Sequence, residues 1–308
     1  MTRTLLVLDM ITSLLGGFME LLMLCAGAAD RSWTGPARER PLRTKGKRRA
    51  QKVGAWMGRH SLRPDKVLSA SGERSLATAE KALKAGGWTA QDIATSDPLT
   101  KGTLASLPEA KRVLLVAPSK TVQSLANHLR LQIETRSGVL IVLSLENGKA
   151  SLRHRIDPRE LPDHFPFPSP DGPELRLRPA YYYTQSAVIP FRRTERSVEI
   201  LIVRSSSGRH WVVPKGIVEP GFSPARSAMI EASEEAGVEG LIREKPLGSY
   251  TYEKWGAICN VEVYAMEVTR VLPGDDWEES HRERQWIDAA GAANLLDQPA
   301  LRRLIALI

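Results

Sequence analysis

With 308 residues, 42% apolar and 25% charged, the chain has room for two ordinary globular cores. Its net charge of +8 favours small anionic phosphate partners as readily as nucleic acid, and without zinc-finger spacing, an RNP-like aromatic motif or a long Lys/Arg block no nucleic-acid surface is indicated. Two cysteines far apart, Cys25 and Cys259, make no disulfide framework and fit a reducing, cytoplasmic compartment.

Residues 1–18 read as an apolar extension, and 21–29 as the end of a signal-like segment. Asp9 and Glu20 interrupt that apolar run, so a start at Met19 is the simpler reading. No later run reaches the length of a membrane span, so no membrane partner is expected. From Met19 strands and helices alternate: a strand at Leu21–Leu24, a basic helix at Thr44–Met57, a strand at Val67–Ser69 and a helix at Ser75–Ala85. A strand at Arg112–Val116, a helix at Thr121–Leu131 and a strand at Gly138–Leu145 follow. That order implies an α/β domain over 19–156 with a largely parallel sheet. Residues 157–179 are proline-rich, which forbids helix and central strand, and read as a linker. Over 180–308, strands at Ala187–Phe191, Glu199–Arg204 and Asn260–Val268 surround one helix, and helices at Ala289–Leu296 and Ala300–Ile308 close the chain. There are no internal repeats.

The central helix carries the chemistry. Ser223 suits the N-cap, Pro224 the first helical position and Gly237 the left-handed end, while Trp211–Val213 upstream gives a short strand before Lys215 and Gly216. The expected order is strand, loop, helix, loop. Glu231, Glu234 and Glu235 stand at i, i+3 and i+4, so one helix face offers three carboxylates to one point. Like charges that close call for a cation, and oxygen-only ligands suit Mg²⁺. The residues alone also permit a solvated acidic face.

This stretch resembles the Nudix hydrolase signature, G-x5-E-x7-R-E-U-x-E-E-x-G-U, with U aliphatic. Gly216, Glu231, Glu234, Glu235, Gly237 and Val238 match it, Ala232 stands at an aliphatic place, and two positions depart: Phe222 for the first glutamate and Ile230 for the arginine. The resemblance implies an α/β/α sandwich and a catalytic and metal site made of Glu231, Glu234 and Glu235, with Gly216 beside the metal. It further implies Mg²⁺, with Mn²⁺ possible in its place, and hydrolysis of a diphosphate bond. Replacing both members of a charged pair by apolar residues leaves no buried charge alone, so the departures permit an active site. A non-catalytic sensor of nucleotide or polyphosphate is the other function compatible with them.

The Pro-Lys-Gly opening of this box resembles the branch of diphosphoinositol and diadenosine polyphosphate phosphohydrolases, which implies a nucleoside, dinucleoside or inositol polyphosphate substrate. Lys215 then meets phosphate as a point charge, Arg209 belongs to a basic rim with Arg192, Arg193 and Arg204, and Trp211 is a stacking candidate with Tyr250, Tyr252 and Trp255. Glu278 and Glu279 lie on a downstream loop that brings another carboxylate in such enzymes, although an acidic surface loop is the plainer account of them.

The first half, roughly 19–152, is similar to the small SixA-like branch of the histidine phosphatase superfamily. The resemblance rests on the opening strand, Arg40-Pro41-Leu42, Val67-Leu68-Ser69, Arg74, Thr78-Ala79-Glu80 and Val113–Val116. The catalytic positions of that pattern fall on Cys25 and Ala26 and on Ala117 and Pro118, which implies a domain without phosphatase chemistry. Cys25 to Arg31 also has Cys-x5-Arg spacing, which leaves a cysteine-dependent phosphatase as a rival.

Overall fold

The computed structural model describes residues 18–101, 104, 107–147, 149–170, 172–195, 197–274 and 276–308. The apolar extension, apart from Phe18, lies outside them. The chain divides into two compact units between Leu175 and Arg176.

The first unit runs β1 (Met19–Cys25), α1 (Thr44–Arg59), β2 (Lys66–Ala70), α2 (Glu73–Ala85), β3 (Ile93–Ser96), the single turn α3 (Asp97–Thr100), β4 (Arg112–Ala117), α4 (Ser119–His128), β5 (Leu140–Glu146) and β6 (Lys149–Ile156). The sheet order is β3-β2-β4-β1-β5-β6. Its first four strands are parallel, and β5 and β6 are antiparallel additions. The β1 and β4 sequences are continuous apolar runs because both faces are covered. Leu21, Met23 and Cys25 pack into one core with Val122 and Leu125 of α4; Leu22 and Leu24 pack into another with Val53 and Met57 of α1 and Leu83 of α2.

Two strands of this sheet went unforeseen. β3 and β6 are edge strands with many exposed residues, and β6 reads Lys-Ala-Ser-Leu-Arg-His-Arg-Ile, so neither shows an apolar period. The proline-rich segment is also more ordered than a plain linker. Its described residues hold no helix, but β7 (Phe165–Phe167) and β8 (Glu174–Arg176) pair with one another. Phe165 is 1% exposed beneath the Arg48 guanidinium, 4.5 Å from its ring, and Lys52 reaches Asp163 at 3.0 Å. Proline bars central strands but not a three-residue pairing, and one phenylalanine suffices to pin the segment to α1.

The second unit runs β9 (Thr184–Arg193), β10 (Val198–Arg204), β11 (Trp211–Val212), β12 (Lys215–Ile217), α5 (Pro224–Ala236), β13 (Val238–Ile242), β14 (Gly248–Lys254), β15 (Ala257–Val271), β16 (Arg284–Asp288), α6 (Ala289–Leu295) and α7 (Pro299–Ile305). The sheet path is β11-β10-β9-β15-β13, with β12 on β9, β14 on β15 and β16 on β10. Alternation along the strands sorts the layers. Ala187, Ile189, Phe191, Ile200 and Ile202 face Ala292, Leu296, Leu301 and Ile305 at the α6–α7 end of the chain, while Val188, Leu201 and Val203 face Ala228, Ala232 and Ala236 of α5. The result is an α/β/α sandwich. The box differs from the expected order at both ends: Gly216 lies within β12, and α5 passes straight into β13 without a loop.

Candidate active site

Helix α5 begins and ends as its sequence demands. The Ser223 hydroxyl accepts the Arg226 N–H at 3.2 Å, Pro224 opens the helix, and Gly237 closes it at φ +60°. The antiparallel pairing Lys215↔Ala187 and Gly216↔Ser186 fixes β12 beside it. A methyl group on Gly216 would lie 1.7 Å from Glu231 Oε1, so the Glu231 carboxylate rests on bare backbone that only glycine provides. Glu235, 9% exposed, accepts the Lys215 N–H at 3.1 Å on Oε2 and the Arg282 guanidinium at 3.0 Å on Oε1. The Glu234 carbonyl accepts the Glu279 N–H at 3.0 Å, which ties the downstream loop to this helix.

The cluster is short of positive charge. Burial pushes the Glu231 carboxyl up to about 8, with Glu235, Glu234 and Glu279 adding to the rise and Lys215 opposing it. Glu234 is raised by burial and then by Glu278, Glu279, Glu219 and Glu235. Glu235 is raised by burial and eased by Arg282 and the Lys215 N–H. Among the described residues no three Asp, Glu, His or Cys side chains stand together so as to hold a metal ion in this structure. The simple picture of three carboxylates aimed at one point is thus altered: Glu231 lies against Gly216, and Glu235 is drawn to Arg282 and the Lys215 N–H. The donor set nevertheless fits a hard divalent cation, since it is all carboxylate, partly desolvated and undercompensated.

Arg282 and Glu219 were not legible as parts of this site. Arg282 lies in Glu278-Glu279-Ser280-His281-Arg282-Glu283-Arg284, a charged loop in which no spacing marks one arginine from another. Of the two loop carboxylates, Glu279 is half-buried and paired with Arg282, whereas Glu278 is exposed and acts on Glu234 only through its charge.

Beside Lys215 a cavity of about 220 Å³ is lined by Trp211, Tyr250, Tyr252, His210 and Leu301, among others. Three of the four stacking candidates therefore meet there. The fourth, Trp255, packs instead against Tyr182 and Tyr183, with ring centroids at 5.3 and 6.2 Å. The expected basic rim does not form. Arg209 is exposed, outside the cavity lining, and contacts Ser207 at 3.5 Å. Arg192 pairs with Glu199 at 2.6 Å and Arg193 with Glu267 at 3.9 Å, while Arg204 covers the Trp211 ring at 4.1 Å. Short sequence distances or strand pairings supply these arginines with local partners.

In the first unit, Ala26 donates its N–H to the Ala117 carbonyl at 2.8 Å, so the two positions noted in the sequence meet at the ends of β1 and β4. Both side chains are buried methyl groups. Cys25 is wholly buried, and desolvation pushes its thiol up to about 12, the opposite of what a nucleophile needs. Arg31 is exposed. A nearby cavity of about 480 Å³ is lined by Arg38, Arg40, Arg74 and Pro118, among others. Arg74 has no carboxylate partner among the described residues, and its pKa is lowered by burial and by Arg40.

Three comparisons bear on this geometry. The NUDIX domain model matches residues 183–308. Diphosphoinositol polyphosphate phosphohydrolase 3-beta of Bos taurus is 34% identical over 122 residues, 38% of this chain and 71% of that protein. Among the curated relatives it matches, the chain spans 54 to 71% of their length. Among solved structures, an Ap4A hydrolase of C. elegans aligns with TM-score 0.34 and 24% identity over 40% of this chain and 93% of that one. The N-terminal region resembles the protein histidine phosphatase SixA, solved with tungstate, with TM-score 0.40 and 15% identity over 46% of this chain and 98% of that one. Among the described residues no helix is long and apolar enough to cross a membrane.

Proposed function

We propose, from the premise that this chain belongs to the Nudix hydrolase family, that residues 180–308 form a Mg²⁺-dependent hydrolase cleaving a diphosphate bond in a nucleoside, dinucleoside or inositol polyphosphate. The observation that carries this is the partly buried carboxylate cluster of α5, with Glu231 seated on Gly216 and Glu235 on the Lys215 N–H. Glu231, Glu234 and Glu235, with the backbone at Gly216, would hold the cation, and Mn²⁺ would satisfy the same oxygen donors. When bound, it polarises a phosphoryl oxygen and lowers the pKa of water. One carboxylate of the three takes a proton from the attacking water, and the Lys215 ammonium offsets charge on the phosphate oxygens. Trp211, Tyr250 and Tyr252 offer aromatic faces beside Lys215. That lining, with few cations, favours a nucleobase over a densely phosphorylated inositol ring.

Residues 19–156 are proposed as a phosphatase-like domain that performs no transfer, since Ala26 and Ala117 offer no nucleophile or acid. Two free, buried cysteines support a cytoplasmic setting. The test is product release from nucleotides, dinucleoside polyphosphates and inositol pyrophosphates, each with Mg²⁺ and with chelator. Release from one class, lost in chelator, is expected. The second reading is a sensor that binds without turnover. Phe222 and Ile230, both half-buried where the signature has charges, favour it. Saturable binding with no product from any class would establish the sensor instead.

A further inference from the structure

Helix α5 has no Lys or Arg between Ser227 and Gly237. Its acidic face therefore takes its guanidinium from far along the chain. The Arg282 side chain, 8% exposed, lies between two carboxylates: Nη2 is 3.0 Å from Glu235 Oε1, and Nε is in ion-pair contact with Glu279 Oε2 without hydrogen-bond geometry. The same residue donates its N–H to the Glu279 carbonyl at 2.9 Å. Its loop is tied down on either side of it. Arg284 donates to the Ala236 and Gly237 carbonyls at 2.8 and 3.1 Å and to Leu272 at 2.8 Å, and stacks on Trp277 at 4.0 Å.

We propose that Arg282 is a positioning residue for the hydrolytic site, holding Glu235 and Glu279 in place so that the α5 carboxylates present their free oxygens to the cation. This rests on the hydrolase reading above. The planar fork suits the task, because it meets two carboxylates from fixed directions, whereas an ammonium is a single point charge on a flexible stem. Removing it leaves the Glu235 and Glu279 carboxylates without the guanidinium they share. The expected consequence is misplacement of groups near the reacting atoms, which falls on kcat more than on KM.

The experiment uses the full chain with Arg282→Lys, Arg282→Ala and, as control, Arg270→Ala, which breaks an exposed pair with Glu239. Two readouts are taken: kcat and KM on the substrate found above, and the rise in Tm on adding Mg²⁺ alone. Arg282→Lys should lose about tenfold or more in kcat with KM within about twofold, and much of the Mg²⁺-induced rise, because groups that orient metal ligands carry effects of that size. Arg282→Ala should lose more, and Arg270→Ala nothing. Should Arg282→Ala fail to fold, Arg282→Lys decides the matter. Wild-type kcat and Mg²⁺ response in Arg282→Lys overturn the proposal and leave the hydrolase reading intact. A wild type without turnover but with a Mg²⁺ response lost in Arg282→Lys overturns the hydrolase reading and keeps the positioning role. A wild type with neither overturns both.

Discussion

The two units set a framework against its chemistry in opposite ways. In the second, the acidic face of α5 keeps Glu231, Glu234 and Glu235, and its surroundings fit them: bare backbone at Gly216, a backbone N–H at Lys215 and a bridging guanidinium at Arg282. In the first, β1 and β4 bring two strand ends together and three arginines line a cavity, yet the meeting residues are Ala26 and Ala117. A sheet is held by its apolar runs whatever stands at the strand ends. Chemistry at those ends can be lost without cost to the core, which is why fold and activity must be argued separately.

The largest expected effect tests the proposed hydrolytic side of this contrast. Glu234→Gln and Glu235→Gln keep shape and remove charge, so hydrolysis should fall by about 100-fold or more and need more Mg²⁺ for half-maximal rate. Turnover assayed against Mg²⁺ concentration checks it, and wild-type rates that survive chelator break it. Next is Gly216→Ala. The added methyl meets the Glu231 carboxylate at 1.7 Å, and overpacking of that kind costs about 1–3 kcal/mol. Denaturant unfolding should show the loss, together with a marked drop in activity.

The proposal that the first unit performs no transfer predicts an absence that can be measured. The full chain should release no phosphate from phosphohistidine or a general phosphomonoester, and Cys25→Ser should change nothing, because the thiol is buried and held protonated. Release abolished by Cys25→Ser would revive the Cys-x5-Arg chemistry.

How much of this the sequence disclosed follows from what each residue had to do. The runs at 21–24 and 113–116 announce central strands because burial on both faces demands it, and Ser223, Pro224 and Gly237 announce a helix because caps need those residue types. Glu231, Glu234 and Glu235 share a face by helical geometry alone. Strands β3 and β6 were silent, since their exposed residues carry no apolar period, while β14 alternates but shows only Tyr250 and Tyr252 on its covered face. Arg282 was silent for a different reason: its partner Glu235 is 47 positions away, and only the fold of the intervening strands brings the two within 3.0 Å. The rim arginines erred the other way, because a count of cations does not reveal that Arg192 and Arg193 already have partners.

A smaller effect concerns pH. The folded state raises the Glu231 carboxyl from 4.5 to about 8, so it favours the protonated form. Stability from this group is full below the unfolded value and is lost as pH rises through about 8. In chelator, the Tm of wild type minus that of Glu231→Gln should therefore decline by a few degrees from pH 5 to pH 8, and Mg²⁺ should reverse the decline at the upper end. The difference between the two proteins cancels titrating groups remote from Glu231, whereas Glu234, Glu235 and Glu279 are coupled to it and contribute to the same decline. A flat difference would mean that the carboxyl is more solvated than its seat against Gly216 implies.

The smallest effect lies at the two positions where the box departs from its signature. Phe222 and Ile230 are both half-buried, and neither takes part in the two hydrophobic cores of the second unit. If together they replace a charged pair, Phe222→Glu or Ile230→Arg alone introduces an unpartnered charge, and the double variant restores a partner. The double variant should then be more stable than the sum of the singles by about 0.5 kcal/mol or more, the range in which neighbours couple. A thermal-unfolding cycle over the four proteins measures this, and additivity within error means that the positions do not communicate. Rates on the same four proteins sharpen the contrast between the units. Turnover in the wild type places the second unit on the working side, since Arg282 would then suffice as guanidinium for the acidic face. Turnover in the double variant alone would make the second unit, too, a framework proposed to have no chemistry of its own.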